Sequence, residues 1–385
     1  MHLRHGLHLA YCTNVLAAET WPETFGVLDT TLRAVRDRLA RPGPFALGLR
    51  LSDQAAAELA ADATARAAFR RWLDRENFYL FTINGFPFGR FHGTRVKEEV
   101  YRPDWSRPER LTYTVRLFAL LAEFLPEGLS GSVSTLPGSF KAFGADETAI
   151  RRNLWSCIEQ IADLSDRTGK DLHLGVEPEP LGLFETSTET VAFFERMRAD
   201  RPSDDRLARH LGVNYDTCHL AVEFEQPADV LARFRQSGIR LSKIHLSAAP
   251  ALVPSDANIG LLRDFHDEVY LHQVVARFPG SSELRRFRDL PDAFADAQAA
   301  EAEEWRVHFH IPLQTGPGSW FRPTTDHLLG VLDHLAEDPA LCTHLEMETY
   351  TWAVLPPALR SASIADQIAA EYRWTLEQLA RRGLA

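Results

Sequence analysis

Val213-Asn214-Tyr215-Asp216-Thr217-Cys218-His219 is a short apolar run that ends in a carboxylate, with an imidazole three residues on. Read as a strand giving way to a loop, it puts Asp216 at the strand's C-terminal end. Three more apolar runs end in the same fashion: Leu174-Gly175-Val176-Glu177, Lys243-Ile244-His245 and Leu345-Glu346-Met347-Glu348. In closed barrels of alternating strands and helices, functional groups collect at these strand ends, where the βα loops begin.

Outward from these runs, strand candidates fall at 7–14, 45–51, 78–85, 131–136, 171–177, 211–216, 242–247 and 343–349. Between them, 54–75, 109–125, 148–168, 187–199, 227–238 and 325–337 carry apolar residues at helical spacing. Strand–helix alternation predicts a parallel sheet with helices outside it. Eight strands predict a (β/α)8 TIM barrel, α/β in class, as a single domain over 1–385. An open doubly wound sheet is the alternative, but no glycine-rich loop follows the first strand. Two long insertions are expected, 86–108 after the third strand and 250–320 after the seventh. The second contains Tyr270–Val275, read as a hairpin arm, and Val307–Pro312, a ninth strand candidate.

The chain of 385 residues is 45% hydrophobic, enough for a large core. Its net charge of −11 would repel a phosphate backbone or an anionic membrane surface, so neither nucleic acid nor membrane insertion is expected. Cys12, Cys157, Cys218 and Cys342 are scattered, with no CxxC pair, and read as reduced thiols of a cytoplasmic protein. The first residues lack a signal peptide's apolar stretch, and no apolar run approaches the length of a spanning helix.

Alternation along each strand places Gly175, Glu177 and Glu179 on one face, with Asn214 and Asp216 on another strand's equivalent face. Lys243 and His245 share a face, as do His344, Glu346 and Glu348. If these faces point inward, Glu177, Asp216, His245 and Glu348 meet at the barrel mouth. Buried carboxylates are costly, and a cation satisfies several at once. The mixed nitrogen and oxygen set suits a divalent metal: Mn, Zn, Co, Mg or Fe. His219 is a further ligand candidate or an orienter of one. Glu346 competes with Glu348 for the last ligand position, and Glu348 is favoured because it lies nearer the strand end. Lys243 is expected deeper in the barrel, balancing the carboxylates or polarising a substrate oxygen. Asn84, Phe86, Trp105, Glu346, His310 and Trp352 are substrate-binding candidates. Each element also has a structural reading: Asp216 as a helix N-cap, Glu177 as a cap, His308 and His310 on an exposed hairpin, and His272 as a structural residue.

The order Glu177, Asp216-Thr217-Cys218-His219, His245, Glu348-Thr349 resembles the xylose isomerase-like barrel superfamily of sugar isomerases, sugar epimerases and endonuclease IV. Within it, the chain is similar to the EboE family of metabolite traffic proteins. That similarity lies in Tyr11-Cys12-Thr13-Asn14, Phe81–Pro87, Tyr101-Arg102-Pro103-Asp104-Trp105, Ser134–Ser139 and Glu348-Thr349-Tyr350-Thr351-Trp352. The resemblance implies a bacterial metabolite biosynthesis and export setting, a sugar- or cyclitol-like substrate and partners from the same pathway. It also implies metal binding by Asp216 and His219 together. Ser247 and Ala248 stand where many superfamily members carry an Asp, which favours a single metal.

The leading expectation is therefore a metal-dependent sugar or cyclitol isomerase or epimerase. Glu177 and Glu348, on opposite sides of the ring, would move a proton through an enediolate, with Lys243 beside them. The alternatives are a metal-dependent phosphoesterase of endonuclease IV type and a non-catalytic metabolite-binding barrel in an export assembly.

Overall fold

The computed structural model describes residues 1–385. Eight parallel strands form the central sheet. They are β1 (His8–Tyr11), β2 (Phe45–Arg50), β3 (Phe78–Asn84), β4 (Gly131–Thr135), β5 (Leu172–Val176), β6 (Leu211–Asp216) and β7 (Arg240–Leu246), with β13 (His344–Met347) last. Their spatial order is β1-β13-β7-β6-β5-β4-β3-β2. A parallel bridge between Cys12 and Gly48 brings the β1 and β2 edges together, so the barrel is all but closed.

The alternation expected from the sequence sorts side chains onto two faces. Val213, Tyr215, Ile244, Leu246, Leu345 and Met347 face outward and join one apolar core with the surrounding helices. The inward positions are polar or small. Near the N-terminal end, His344 Nδ1 lies 2.8 Å from Ser132 Oγ, which donates to Thr82 Oγ1 at 2.8 Å. One layer higher, Lys243 Nζ donates to Ser134 Oγ at 2.9 Å and to Glu346 Oε2 at 2.5 Å. Buried polar groups are costly unless paired, and these hydrogen bonds tie the strands together across the barrel interior.

Local chemistry sets several helix starts. Asp146 caps the helix Glu147–Thr168, and Thr186 with Glu189 forms a capping box on the helix Ser187–Asp200. The expected single helix at 54–75 is two, Asp53–Ala61 and Ala63–Glu76, because Asp62 caps the second by accepting from Thr64 N and Ala65 N. The C-terminal helix Ile364–Arg381 was not among the sequence candidates, although it packs Ile368, Tyr372 and Leu379 into the core.

Between β7 and β13 the chain folds as a second, antiparallel sheet. It comprises β8 (Pro250–Leu252), β9 (Val274–Arg277), β10 (Leu284–Phe287), β11 (Glu304–Val307) and β12 (Arg322–Pro323), in the order β10-β9-β11-β8-β12. The expected ninth strand at 307–312 therefore does not extend the barrel: only Val307 is in a strand, β11, and that strand pairs with β8 and β9. The expected arm at 270–275 is likewise shifted, with the β9–β10 hairpin starting only at Val274. The other long connection, between β3 and the helix Pro108–Phe124, leans on this sheet's loops. Val96 N and Lys97 N both donate to Val269 O at 2.8 Å.

Candidate active site and metal centre

Glu177, Asp216, His245 and Glu348 converge at the C-terminal end of the barrel, with one donor atom from each lying within 4.8 Å of the others. His245 Nδ1 is the centre of the group. It lies 3.2 Å from Glu177 Oε1, 3.6 Å from Asp216 Oδ2 and 3.1 Å from Glu348 Oε2. All four side chains are buried.

Each member is held by groups that leave one atom free for the centre. Asn214 Nδ2 donates to Glu177 Oε2 at 2.7 Å, leaving Oε1 toward His245. Asn14 and Asn84 donate to Glu348 Oε1 at 2.7 and 2.9 Å, leaving Oε2 toward His245. Asp216 Oδ1 accepts from Cys218 N, His219 N and Ser247 Oγ at 2.7, 3.0 and 2.6 Å. Asp216 Oδ2 is buried with no hydrogen-bond partner. Asp216 is thus both readings at once, the N-cap of the helix Thr217–Val222 through one oxygen and a member of the ring through the other.

Behind His245, Glu346 Oε2 lies 2.8 Å from Nε2, and Lys243 holds the same oxygen. A carboxylate on the far nitrogen of an imidazole orients the near nitrogen, as it does for metal-binding histidines. Of the two glutamates, Glu348 faces the centre and Glu346 lies beneath it. Gly48 makes room for Glu346, since a Cβ there would lie 2.0 Å from Glu346 Oε1.

The electrostatics follow the same map. Burial opposes charge throughout, yet Glu348, Glu177 and Asp216 together hold the His245 imidazolium well above its ordinary value. Burial likewise raises Glu348, but His245 outweighs it and brings the carboxyl down to about 2. Asp216 is lowered too, by His219 and His245 against burial. Glu179 behaves in the opposite way, because burial with only His219 as counter-charge pushes it up to about 8. With the His245 proton displaced, three carboxylates packed round one imidazole nitrogen, with an orphaned Oδ2 among them, are a donor set that fits a divalent cation.

The ring opens onto a cavity at the barrel mouth. Glu177, Glu179, His219 and Glu348 form its polar floor, and its walls include Phe86, Phe91, Tyr101, Tyr270 and Tyr350.

No family model matches the sequence, and no curated relative matches it. Solved structures do resemble it. A xylose isomerase-like TIM barrel protein from Mycobacterium smegmatis, in complex with magnesium, matches with a TM-score of 0.54 and 15% identity, over 99% of each chain. The IolI protein with a bound zinc atom matches at 0.52 and 11%, over 97% of this chain and 98% of that one. A D-tagatose 3-epimerase-like protein matches at 0.51 and 11%, with the same coverage. The fold is a (β/α)8 barrel like that of these proteins.

In this barrel the sequence-derived candidates divide clearly. Glu177, Asp216, His245 and Glu348 come together, and His219 stands beside them with Nδ1 3.6 Å from Glu177 Oε1. Lys243 lies deeper, as expected, and touches Glu346 rather than the cavity. Phe86 lines the cavity. Other substrate-binding candidates do not. Asn84 supports Glu348, and Glu346 is sealed under His245. Trp105 is buried with Nε1 donating to Thr135 Oγ1 at 3.0 Å. Trp352 lies outside the wall, beneath the Arg360 guanidinium.

His310 is buried rather than exposed on a hairpin, with Nδ1 2.8 Å from Glu348 O, and His308 is buried next to it. His272 is structural, with Nε2 2.6 Å from Asp267 Oδ2. Asn14 and Tyr350 were not singled out from sequence as site residues. The one signal for them was their position directly after β1 and β13, where βα loops begin.

Proposed function

We propose that this barrel is a metal-dependent sugar or cyclitol isomerase or epimerase. The observation that carries the reading is the ring itself: two glutamates, each with one oxygen tied down and one free, beside a buried aspartate and histidine at the floor of a cavity. The resemblance in fold to an epimerase-like protein and to magnesium- and zinc-bound barrels supports it.

Glu177, Asp216, His245 and Glu348 would hold the cation, with His219 next to them. When bound, a divalent cation supplies Lewis-acid polarisation of a substrate carbonyl and its neighbouring hydroxyl. Glu177 Oε1 and Glu348 Oε2 reach the floor from strands three apart in the barrel, so they can address a bound carbon from two directions. One removes the proton beside the carbonyl and the other returns a proton, which inverts a centre or moves the carbonyl. Asn214, Asn14 and Asn84 fix the two carboxylates for that transfer. The aromatic wall excludes water that would exchange or quench the intermediate.

The resemblance at Tyr101–Trp105 and Glu348–Trp352 supports an EboE-type metabolite biosynthesis and export setting, with partners from that pathway. Four buried, unpaired cysteines support a reducing, cytoplasmic location. The test is incubation of the metal-loaded protein with ketohexoses and cyclitol ketones in D₂O. Deuterium is expected at the carbon next to the carbonyl. No uptake from any of them overturns the reading.

A further inference from the structure

We propose that the substrate of this cavity carries a positively charged amine, received by Glu179 and His308. This rests on the reading of the cavity as an isomerase or epimerase site, and it names the class of sugar or cyclitol that the site takes.

The first observation is the charge of the lining. Glu177, Glu179 and Glu348 face the cavity, and no arginine does. The one lysine there, Lys97, is already committed: its Nζ donates to Asp267 O at 2.8 Å and to Asp289 Oδ2 at 2.7 Å. A phosphate or carboxylate on the substrate would meet carboxylates with no free basic side chain to pair with, and burying an unpaired charge is costly. Glu179 also lacks a counter-charge of its own. His219 stands near it but also faces Glu177 Oε1 at 3.6 Å and Asp216 Oδ2 at 3.9 Å.

The second observation is a pair of unused acceptors. Glu179 is buried, and its Oε2 has no hydrogen-bond partner; His308 Nε2 has none either. The two side chains are neighbours, with Glu179 Oε1 3.7 Å from His308 Nδ1. The tautomer of His308 follows from its surroundings. Gln273 Nε2 donates to Pro180 O at 3.0 Å, which turns Gln273 Oε1 toward His308 Nδ1, 2.8 Å away. An amide oxygen only accepts, so Nδ1 carries the hydrogen and Nε2 keeps its lone pair. A substrate hydroxyl donates one hydrogen bond and leaves one of these acceptors empty. A primary ammonium donates three and brings the charge that the carboxylate lacks.

The third observation is the wall. Phe91, Tyr270 and Tyr350 form one aromatic side of the cavity, with ring centres 5.1 to 5.4 Å apart. Phe86 and Tyr101 add a second pair, at 5.5 Å. Aromatic faces attract a cation, whereas an aliphatic wall only strips it of water. Glu179 shares the strand-end segment of Glu177, two residues on, so the ammonium and the exchanging carbon belong to one small molecule.

The experiment is calorimetric titration of the magnesium-loaded, full-length protein at neutral pH with matched probes. They are 1-amino-1-deoxy-D-fructose against D-fructose, an inosamine against the matching inositol, and D-fructose 6-phosphate as the anion. Magnesium prefers oxygen ligands, so a preference for the amine reports on the protein rather than on the ion. At least one amine should bind roughly tenfold or more tighter than its hydroxyl partner, and the phosphate ester more weakly than fructose. Glu179→Gln should bring the ratio of amine to hydroxyl affinity close to one. Equal affinities within both pairs, tighter binding of the phosphate ester, no binding of either amine, or an unchanged ratio in Glu179→Gln overturns the proposal. If that variant does not fold, the wild-type ratios decide. Deuterium exchange is read separately. Amine preference without exchange keeps the amine site and removes the proton-transfer reading, and exchange without amine preference does the reverse.

Discussion

Asp216 shows how one side chain serves two purposes, and its two oxygens can be tested separately. Oδ1 caps a helix and Oδ2 faces His245. Asn caps about as well as Asp, whereas Ala at an N-cap costs about 1 kcal/mol. Asp216→Asn should therefore lose at least tenfold in metal affinity while the metal-free protein melts close to wild type. Asp216→Ala should lose both affinity and stability. Calorimetric melting in chelator, beside metal titration, checks the pair; equal melting of the two variants contradicts the capping role.

Gly48 gives a second test at this scale. A Cβ at Gly48 would meet Glu346 Oε1 at 2.0 Å and Tyr11 O at 2.6 Å, and the second is backbone that cannot swing away. Gly48→Ala should destabilise by roughly 1–3 kcal/mol, as overpacked cores do, and should weaken metal binding by displacing the support of His245. Denaturant melts and metal titration of the variant report on both.

At the scale of elements, the connection after β3 and the segment after β7 close over the site together. Lys97 Nζ joins them by donating to Asp267 O at 2.8 Å and Asp289 Oδ2 at 2.7 Å, with little of the pair exposed. Removing one partner of a buried pair leaves the other charge uncompensated, typically at 3–5 kcal/mol. Asp289 Oδ1 also accepts from His272 N and Leu290 N, so the loss here should be nearer the lower end. Lys97→Met should speed amide exchange in 86–107 and 263–275 and leave the barrel strands protected. Unchanged exchange in those segments would remove the clamp from the account.

Sequence legibility also divides by element. Val213–Asp216 and Ile244–His245 were readable because a parallel strand is buried on both faces and the loop after it starts at a fixed place. The ring followed from that geometry alone. His308 was not readable: its strand, β11, ends at Val307, and only antiparallel pairing with β8 and β9 carries the next residues back to the barrel mouth. No local spacing encodes such a long return. Trp105 misled for the complementary reason, since an aromatic residue in a loop reads as a wall while its indole is in fact inside, bonded to Thr135.

For the whole molecule, the distribution of buried histidines sets the response to acid. Burial lowers His8 and His327 to about 4, and lowers His173 and His344 as well. His327 is the cleanest case: it lies in the core away from the ring, with Nε2 2.8 Å from Tyr215 Oη. An unfolded chain takes up its proton near 6.5, whereas the folded chain refuses it until about 4. The stabilising contribution is therefore complete above 6.5 and is lost as pH falls toward 4. At 1.36 kcal/mol per unit, His327 alone accounts for about 3 kcal/mol across that window. Glu179 and Glu223, raised to about 8 chiefly by burial, work in the other direction. Their contribution is complete below the ordinary carboxyl range and fades as pH rises toward 8. The two sets together place maximal stability near neutrality. Melting temperature should fall steeply from pH 6.5 to 4, and His327→Gln should flatten that fall by removing one titrating group. An identical slope in wild type and variant would mean that His327 takes up its proton in the folded barrel as readily as in the unfolded chain.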